Sequence, residues 1–333
     1  MQALVTGGGG FLGGHIVEQL VAQGARVRVF CRGRHELLEQ LGLEVLQGDL
    51  RDAAAVARAC AGVDAVFHVA ALPGIWGPWK KYHETNTLGT EHVIRGCLEH
   101  GVTRLIYTSS PSVVYNGQPH EQADESLPYP QKYLCHYPRT KALAEQAVLA
   151  ANEPGRLLTV ALRPHLIWGP RDNHLLPRLI RRARTGRLRI VGTGENFVSM
   201  SYVENVAAAH LQACAALTST EPPAGRAYFI NERQPVCLWD WVNDLLVAAG
   251  LPPVKRRISE AAARRLGAAL EFLFREFKLP GEPPMTRFLA SQLSQTHTYA
   301  TSRAEREFGF TPVVSVDEGL RRVTPELRRL AAP

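Results

Sequence analysis

The 333-residue chain is poor in several features that would place it outside the ordinary enzymes. Nothing in it approaches the roughly 20 uninterrupted apolar residues of a membrane-spanning helix. Its start, "MQALVTGGGG", passes from three apolar residues straight into glycines, too short a run for a secretion signal. The six cysteines (Cys31, Cys60, Cys97, Cys135, Cys214 and Cys237) form no C-x-x-C pair and have no histidine at metal-ligand spacing. That argues against structural zinc and against a disulfide framework. Internal repeats and low-complexity tracts are also missing. The expectation is a soluble, reduced, cytoplasmic chain with no metal.

What is present is ordinary globular material: 45% hydrophobic and 21% charged residues, enough for a full core in one large domain or two unequal ones. The formal charge of +7 is scattered. Its densest cluster (Arg178, Arg181, Arg182, Arg184, Arg187, Arg189) lies in a helix-like segment and reads as a solvated basic face, so no nucleic-acid partner is expected.

Over the first 170 residues, short apolar runs alternate with helical patterns. Strands are expected at 2–6, 25–30, 43–49, 64–71, 103–110 and 158–164. Helices are expected at 13–24, 53–62, 86–101 and from about Tyr137 onward. Alternation with few tight hairpins predicts a doubly wound parallel (Rossmann) α/β sheet covered on both faces. After about Gly169 the rhythm loosens. Breaks at 218–226, 250–255 and 279–284 separate helices at 201–217 and 237–250. The division is therefore a dinucleotide-binding domain over 1–169 and a smaller mixed substrate lobe over 170–333, interleaved with the sheet.

The strongest motif is "VTGGGGFLGG". Thr6-Gly7-x-x-Gly10-x-x-Gly13 follows a strand and opens a helix at the start of a βαβ unit. Glycines there allow a tight turn and close approach of a pyrophosphate to the helix's positive end. Gly7, Gly10, Phe11, Leu12 and Gly13 are thus candidate cofactor residues. At the end of the second strand, "VFCRGR" offers Arg32 and Arg34 and no acid before Glu36. Arginine there favours NADP over NAD, because guanidinium pairs with a phosphate. Asp49, next to Leu50, marks either the adenine edge or a plain turn; Ala70 ends the next strand toward the same crevice.

"CHYPRTKALAEQAVLAAN" puts Tyr137 four residues before Lys141. Pro138 suits a first helical position, so Tyr137 is expected at the helix entrance. Residues four apart share a helix face. A phenol of pKa about 10 is a poor acid–base group at neutral pH, and a nearby cation is expected to lower that value. "YTSSPSVVY" brings Ser109 and Ser110 to a strand's carboxyl end, where open α/β sheets bind ligands. A serine hydroxyl there can hold a carbonyl while the tyrosine supplies a proton.

The order TGxxGxxG, TSS, YxxxK resembles the extended short-chain dehydrogenase/reductases. Nearly the whole chain is similar to their 3β-hydroxysteroid dehydrogenase branch, through "LRPHLIWGPRDNHLLPRLIRRARTGRLRIVGTGENFVSMSYVENVAAAH" and "GEPPMTRFLASQL". The later stretches look especially like bacterial 2-alkyl-3-oxoalkanoate reductases and sterol dehydrogenases. The resemblance implies Tyr137 as proton donor or acceptor, Lys141 as its electrostatic partner and ribose ligand, and Ser110, the second serine of TSS, as carbonyl ligand. It implies Asn86 on the cofactor floor (a helix cap being the other reading), Pro164 and His165 beside the nicotinamide, Tyr202 and Asn205 near the substrate lobe, and a homodimer.

Substrate signals are thinner. Trp76 and Trp79 sit in a Gly/Pro-rich loop at the functional edge, as a substrate wall or as packing between lobes. The amphipathic segment 260–282 carries Phe272, Phe274 and Phe277 beside arginines. It reads as a plain packed helix, as a lid over an apolar pocket, or as a peripheral membrane contact through 260–278. The resulting expectation is an NADP-preferring oxidoreductase that interconverts 3-oxo and 3-hydroxy groups on a bulky apolar substrate. Two competitors have distinct signatures. A nucleotide-sugar epimerase or dehydratase would retain its cofactor with no net absorbance change at the reduced-nicotinamide band, and an NADP-sensing protein would be indifferent to Tyr137→Phe.

Overall fold

A computed structural model of the chain describes residues 1–218 and 221–332. The break expected at 218–226 falls partly on residues 219–220, which lie outside the described residues, as does the last residue of the lobe, Pro333.

Seven parallel strands form the central sheet in the order Arg226–Ile230, Leu158–Pro164, Arg104–Thr108, Ala65–His68, Gln2–Thr6, Arg26–Cys31, Glu44–Gln47. The chain first steps outward from Gln2–Thr6 to one edge, then returns to its other side at Ala65–His68. That reversal opens a crevice at the carboxyl ends of the two strands. Ala65–His68 is buried throughout, as a sheet covered on both faces requires. This is the expected doubly wound α/β (Rossmann) fold.

Several elements have different ends from those the sequence pattern suggested. The first helix runs Phe11–Ala22, two residues earlier, with Gly10 as its N-cap. Gly13 therefore lies inside the helix, where a Cβ would stand 2.2 Å from the Gly7 carbonyl oxygen. The strands expected at 43–49, 64–71 and 103–110 shorten to Glu44–Gln47, Ala65–His68 and Arg104–Thr108, because their last residues leave the sheet to form the rim of the crevice. The helix expected at 86–101 ends a longer run: Trp79–Tyr82, a widened π turn over His83–Leu88, then Gly89–Glu99. Such turns are frequent at functional sites.

The second lobe has a four-stranded mixed sheet, Val236–Cys237, Phe197–Val198, His297–Tyr299 and His120–Ala123, with helices around a core containing Trp168, Tyr202, Trp239 and Trp241. The chain trades strands both ways: His120–Ala123 joins the lobe's sheet, and Arg226–Ile230 completes the central one. The helix expected at 201–217 is Val203–Ala216, preceded by the two-residue strand Ser201–Tyr202 beside Ile167–Trp168.

Helix Glu260–Glu276 buries only Ala263 and Gly267. Phe272 is 53% and Phe277 67% exposed, so plain core packing does not account for this segment. Among the described residues no helix is long and apolar enough to cross a membrane.

Candidate active site

The floor of the crevice is a buried hydrogen-bond chain. Thr6 Oγ1 lies 2.7 Å from His68 Nδ1, and His68 Nε2 lies 2.9 Å from Thr90 Oγ1. Thr90 in turn donates to the Asn86 carbonyl at 2.7 Å. Because Thr90 spends its proton there, His68 must donate through Nε2 and accept at Nδ1 from Thr6. Burial, reinforced by Lys141, pushes His68 down to about 3, so it is neutral as this pattern requires. Thr6 Oγ1 also accepts the amides of Val69 and Ala70 at 3.2 Å each.

That contact presses Ala70 against the glycine turn. A Cβ on Gly7 would lie 2.9 Å from Ala70 Cα, and Gly7 has φ +73°, so both space and backbone demand glycine. The Gly10 amide donates to the Gly7 carbonyl at 2.8 Å, closing the turn at the N-terminus of Phe11–Ala22. Leu12 is buried in the core, while Phe11 is half-buried against its edge and edge-on to His15. The side-chain-free turn at a helix N-terminus fits the diphosphate of a dinucleotide.

The helix carrying the tyrosine and lysine runs His136–Ala150, with Cys135 as N-cap. It thus begins two residues before Pro138, and Tyr137 lies within its first turn rather than ahead of it. Lys141 is 3% exposed; its Nζ donates to the Thr108 carbonyl at 2.6 Å and stands 4.1 Å over the Tyr107 ring. Thr108 is two residues before Ser110, so this bond ties the helix to the strand end that presents the serine. Two further ties hold the same parts: Asn86 Nδ2 donates to Thr140 Oγ1 at 3.2 Å, and Tyr133 donates to the Val113 carbonyl at 3.0 Å. Asn86 also takes the Leu72 amide at 2.7 Å, so it clamps the loop leaving Ala65–His68 rather than capping a helix.

Ser110 caps the short turn Pro111–Val114: its Oγ accepts from the amide of Ser112 at 3.2 Å and from the hydroxyl of Ser112 at 2.9 Å. Its own proton is left to donate to a carbonyl oxygen. Ser109 is buried, with its amide on the Leu162 carbonyl at 2.6 Å.

The expected lowering of the Tyr137 pKa is not what the protein alone produces. Burial, with smaller effects from Cys135 and Tyr82, pushes the phenol up to about 12. Burial likewise pushes Lys141 down to about 7 against the opposing pull of Glu145. Its Nζ is directed to the Thr108 carbonyl, and the Tyr137 phenol draws no lowering from it in the protein alone. One turn on from Lys141, Glu145 is fully buried and paired with Arg163 at 2.6 Å, and it also accepts from Tyr129 at 2.6 Å.

The other predicted residues divide. Arg32 is exposed at the end of Arg26–Cys31, its charge acting on Asp49. Asp49 is bound by Arg51 through its backbone amide (2.9 Å) and its guanidinium (2.8 Å), the arrangement of a turn aspartate. Leu50 gives its carbonyl to His92 Nδ1 at 2.7 Å. Pro164 ends its strand opposite Ile230, and His165 follows it, buried. Trp76 packs edge-on against Phe274 at 6.4 Å, bridging to helix Glu260–Glu276, while Trp79 stacks on His83 at 5.0 Å under Arg139. Tyr202 is 0% exposed against Trp168 in the lobe's core, so it does not face the crevice. Asn205 binds Glu232 at 2.9 Å and the backbone of Val313 and Val314, a structural tie. Sequence reading missed His35, whose ring covers Gly9, and the aromatic cluster Tyr115, His120, His297 and Tyr299 around His165. No local motif marks these residues; they meet only through the tertiary fold.

A glycine-cradled turn fit for a dinucleotide, a serine at a strand end, and a tyrosine and lysine one turn apart on the helix tied to that strand define the short-chain dehydrogenase/reductase class. Residues 4–259 match the 3-beta hydroxysteroid dehydrogenase/isomerase family, and the chain belongs to it. Among its relatives is a 2-alkyl-3-oxoalkanoate reductase of Stenotrophomonas maltophilia (strain K279a), 49% identical over 97% of this chain and 98% of that one. Another is the decarboxylating sterol-4-alpha-carboxylate 3-dehydrogenase of Mus musculus, 36% identical over 98% and 91%. The solved structure of MoeE5 in complex with UDP-glucose and NAD has TM-score 0.75 and 25% identity and covers all of both chains. The chain is an NAD(P)-dependent oxidoreductase acting on CH–OH groups.

Proposed function

We propose that the protein reduces the 3-oxo group of a bulky apolar 3-oxo acid, using NADPH in preference to NADH. The observation that carries this reading is the buried Lys141–Thr108 bond, which couples the Tyr137 helix to the strand end bearing Ser110. Identity of 49% to an oxoalkanoate reductase against 36% to a sterol-carboxylate dehydrogenase favours a 2-alkyl-3-oxoalkanoate over a sterol. The NADP preference rests on exposed Arg32 and Arg34, with no acid before Glu36.

When bound, the nicotinamide cofactor supplies the hydride. Ser110 donates its hydroxyl proton in a hydrogen bond to the substrate carbonyl oxygen, fixing and polarising it. Tyr137 delivers the proton that converts this oxygen to a hydroxyl; a phenol near 12 is a competent acid toward a developing alkoxide. Lys141, poised near 7, orients the ribose and stabilises the phenolate left behind. In this reading the exposed face of Glu260–Glu276 and the two residues after it, with Phe272, Leu273 and Phe277 beside Arg264, Arg265, Arg275 and Lys278, borders the mouth through the Trp76–Phe274 contact and rests on the anionic lipid surface from which such a substrate partitions.

The test is a panel of long-chain 3-oxo acids, sterols and sugar nucleotides with NADH and NADPH separately. Turnover of a 3-oxo acid at a higher kcat/KM with NADPH is expected; turnover confined to sugar nucleotides, with no net cofactor consumption, would overturn the reading.

A further inference from the structure

Beyond Ser110 the chain builds a second polar cluster that the chemistry above leaves unused. The Ser109 amide binds the Leu162 carbonyl, so Ser110 and the pair Pro164–His165 leave neighbouring strands side by side. His165 Nδ1 lies 2.8 Å from the Ser199 carbonyl, and its backbone amide donates to Ser201 Oγ at 3.0 Å. A carbonyl only accepts, so Nδ1 carries the proton and Nε2 presents a lone pair. The His165 ring meets His297 at 5.9 Å and Tyr299 at 5.4 Å, both edge-on. Tyr115, the residue closing the turn that Ser110 opens, meets His297 at 5.3 Å and His120 at 5.8 Å.

The distinguishing feature is what these rings lack. His297 is 0% exposed, and neither ring nitrogen has a hydrogen-bond partner; His120 Nε2 also has none. Buried polar atoms normally find partners, and leaving three in one cluster is costly unless a ligand completes them. Among the described residues no group of histidine, cysteine, aspartate or glutamate is arranged to hold a metal. Lys141 is engaged by Thr108, and Arg163 is ion-paired with Glu145 through Nε and Nη2, which leaves its charge compensated and only Nη1 without a partner.

We propose that His120, His165 and His297 form the seat of the substrate's carboxylate. This rests on the proposed 3-oxo acid reading, in which the carboxyl carbon is two bonds from the carbonyl carbon held at Ser110 and must lie in its immediate surroundings. His165 and His120 form the slightly exposed rim, and His297 stands behind them. In the free protein burial keeps all three low, His165 at about 4 and His297 at about 3, hence neutral at pH 7. The charges acting on His165 and His297 are those of the other histidines; Arg264 and Glu260 act on Tyr115, and Arg163 acts on Tyr299. A carboxylate placed among them favours the charged imidazole, so binding takes one proton from solvent to give an imidazolium–carboxylate pair.

The test is calorimetric binding of a 2-alkyl-3-hydroxyalkanoate and its neutral methyl ester to the NADP-loaded enzyme, in two buffers of different ionisation heat. The wild type is expected to bind the acid about tenfold or more tightly than the ester, with uptake of about one proton. His297→Phe and His165→Gln should weaken the acid about tenfold, leave the ester within about twofold and abolish the uptake. His297→Phe keeps the ring packing, and its folding is checked by thermal denaturation. Equal affinity for acid and ester in the wild type, or equal weakening of both in the variants, overturns the carboxylate seat. Turnover of the 3-oxo acid without that discrimination overturns the seat alone. Failure of both compounds to bind, with no 3-oxo acid turned over, overturns the proposed substrate as well.

Discussion

The two sides of Ser110 handle the polarity of their histidines differently. On the nucleotide side a chain of groups is matched, Thr6 to His68, His68 to Thr90, Lys141 to Thr108 and Glu145 to Arg163, with the Tyr107 hydroxyl and Arg163 Nη1 left over beside it. On the substrate side His297 and His120 hold nitrogens with no partner. A completed network over-determines the position of its members and so fixes a crevice before any ligand arrives. Unmatched groups fix nothing by themselves. They lower the stability of the free protein and gain only when something polar arrives.

The contrast can be broken most sharply on the matched side. Tyr137→Phe removes the proton donor from a site whose framework does not use that hydroxyl. Turnover should fall about 10²- to 10⁴-fold while NADPH affinity, read by fluorescence titration, stays nearly constant. Retained turnover would contradict the mechanism. Glu145→Gln strips the partner from buried Arg163 and should destabilise the fold by about 3–5 kcal/mol in urea denaturation. A loss below about 1 kcal/mol would mean the pair is not desolvated as the structure has it.

A smaller effect separates the cofactors. Arg32→Ala should raise the KM for NADPH about tenfold and leave that for NADH almost unchanged, because only the former offers a phosphate to the guanidinium. Equal changes for both would mean that Arg32 stacks on the adenine instead.

The least of the effects lies in pH. Lys141 falls from 10.5 to about 7 on folding, so between those values the unfolded chain binds more protons and this group's contribution makes stability rise with pH. Lys141→Met should therefore raise the melting temperature at pH 7, read by thermal denaturation. For the histidines, His165 near 4 and His297 near 3 against 6.5 when unfolded, the same sign holds lower down: stability present above 6.5 is lost as pH falls toward 3. His297→Phe should flatten that acid limb, which guanidine titrations at pH 7, 5 and 4 would show.

The two sides also differ in how readily they are read. The nucleotide side is written in short spans: glycines within seven residues of Thr6, Lys141 one turn from Tyr137, and TSS at a strand end. The Tyr137 pKa could not be read in this way. Spacing puts an ammonium near a phenol, but burial of both groups decides the sign, and burial depends on elements far away in sequence. Tyr202 misled for the same reason, since a tyrosine at a helix start can as easily close a core as line a crevice.

Local sequence determined the alternation of strands and helices, the glycine turn and the one-turn spacing of phenol and lysine, because backbone sterics and helix periodicity act between near neighbours. Only the tertiary structure decided that His120, His165 and His297 meet, since strand pairing joins the segments of His120 and His297 and hydrogen bonds to Ser199 and Ser201 bring His165 to them. It alone decided which buried groups would find partners there, because desolvation and hydrogen bonding depend on everything packed around a group and not on what precedes it in the chain.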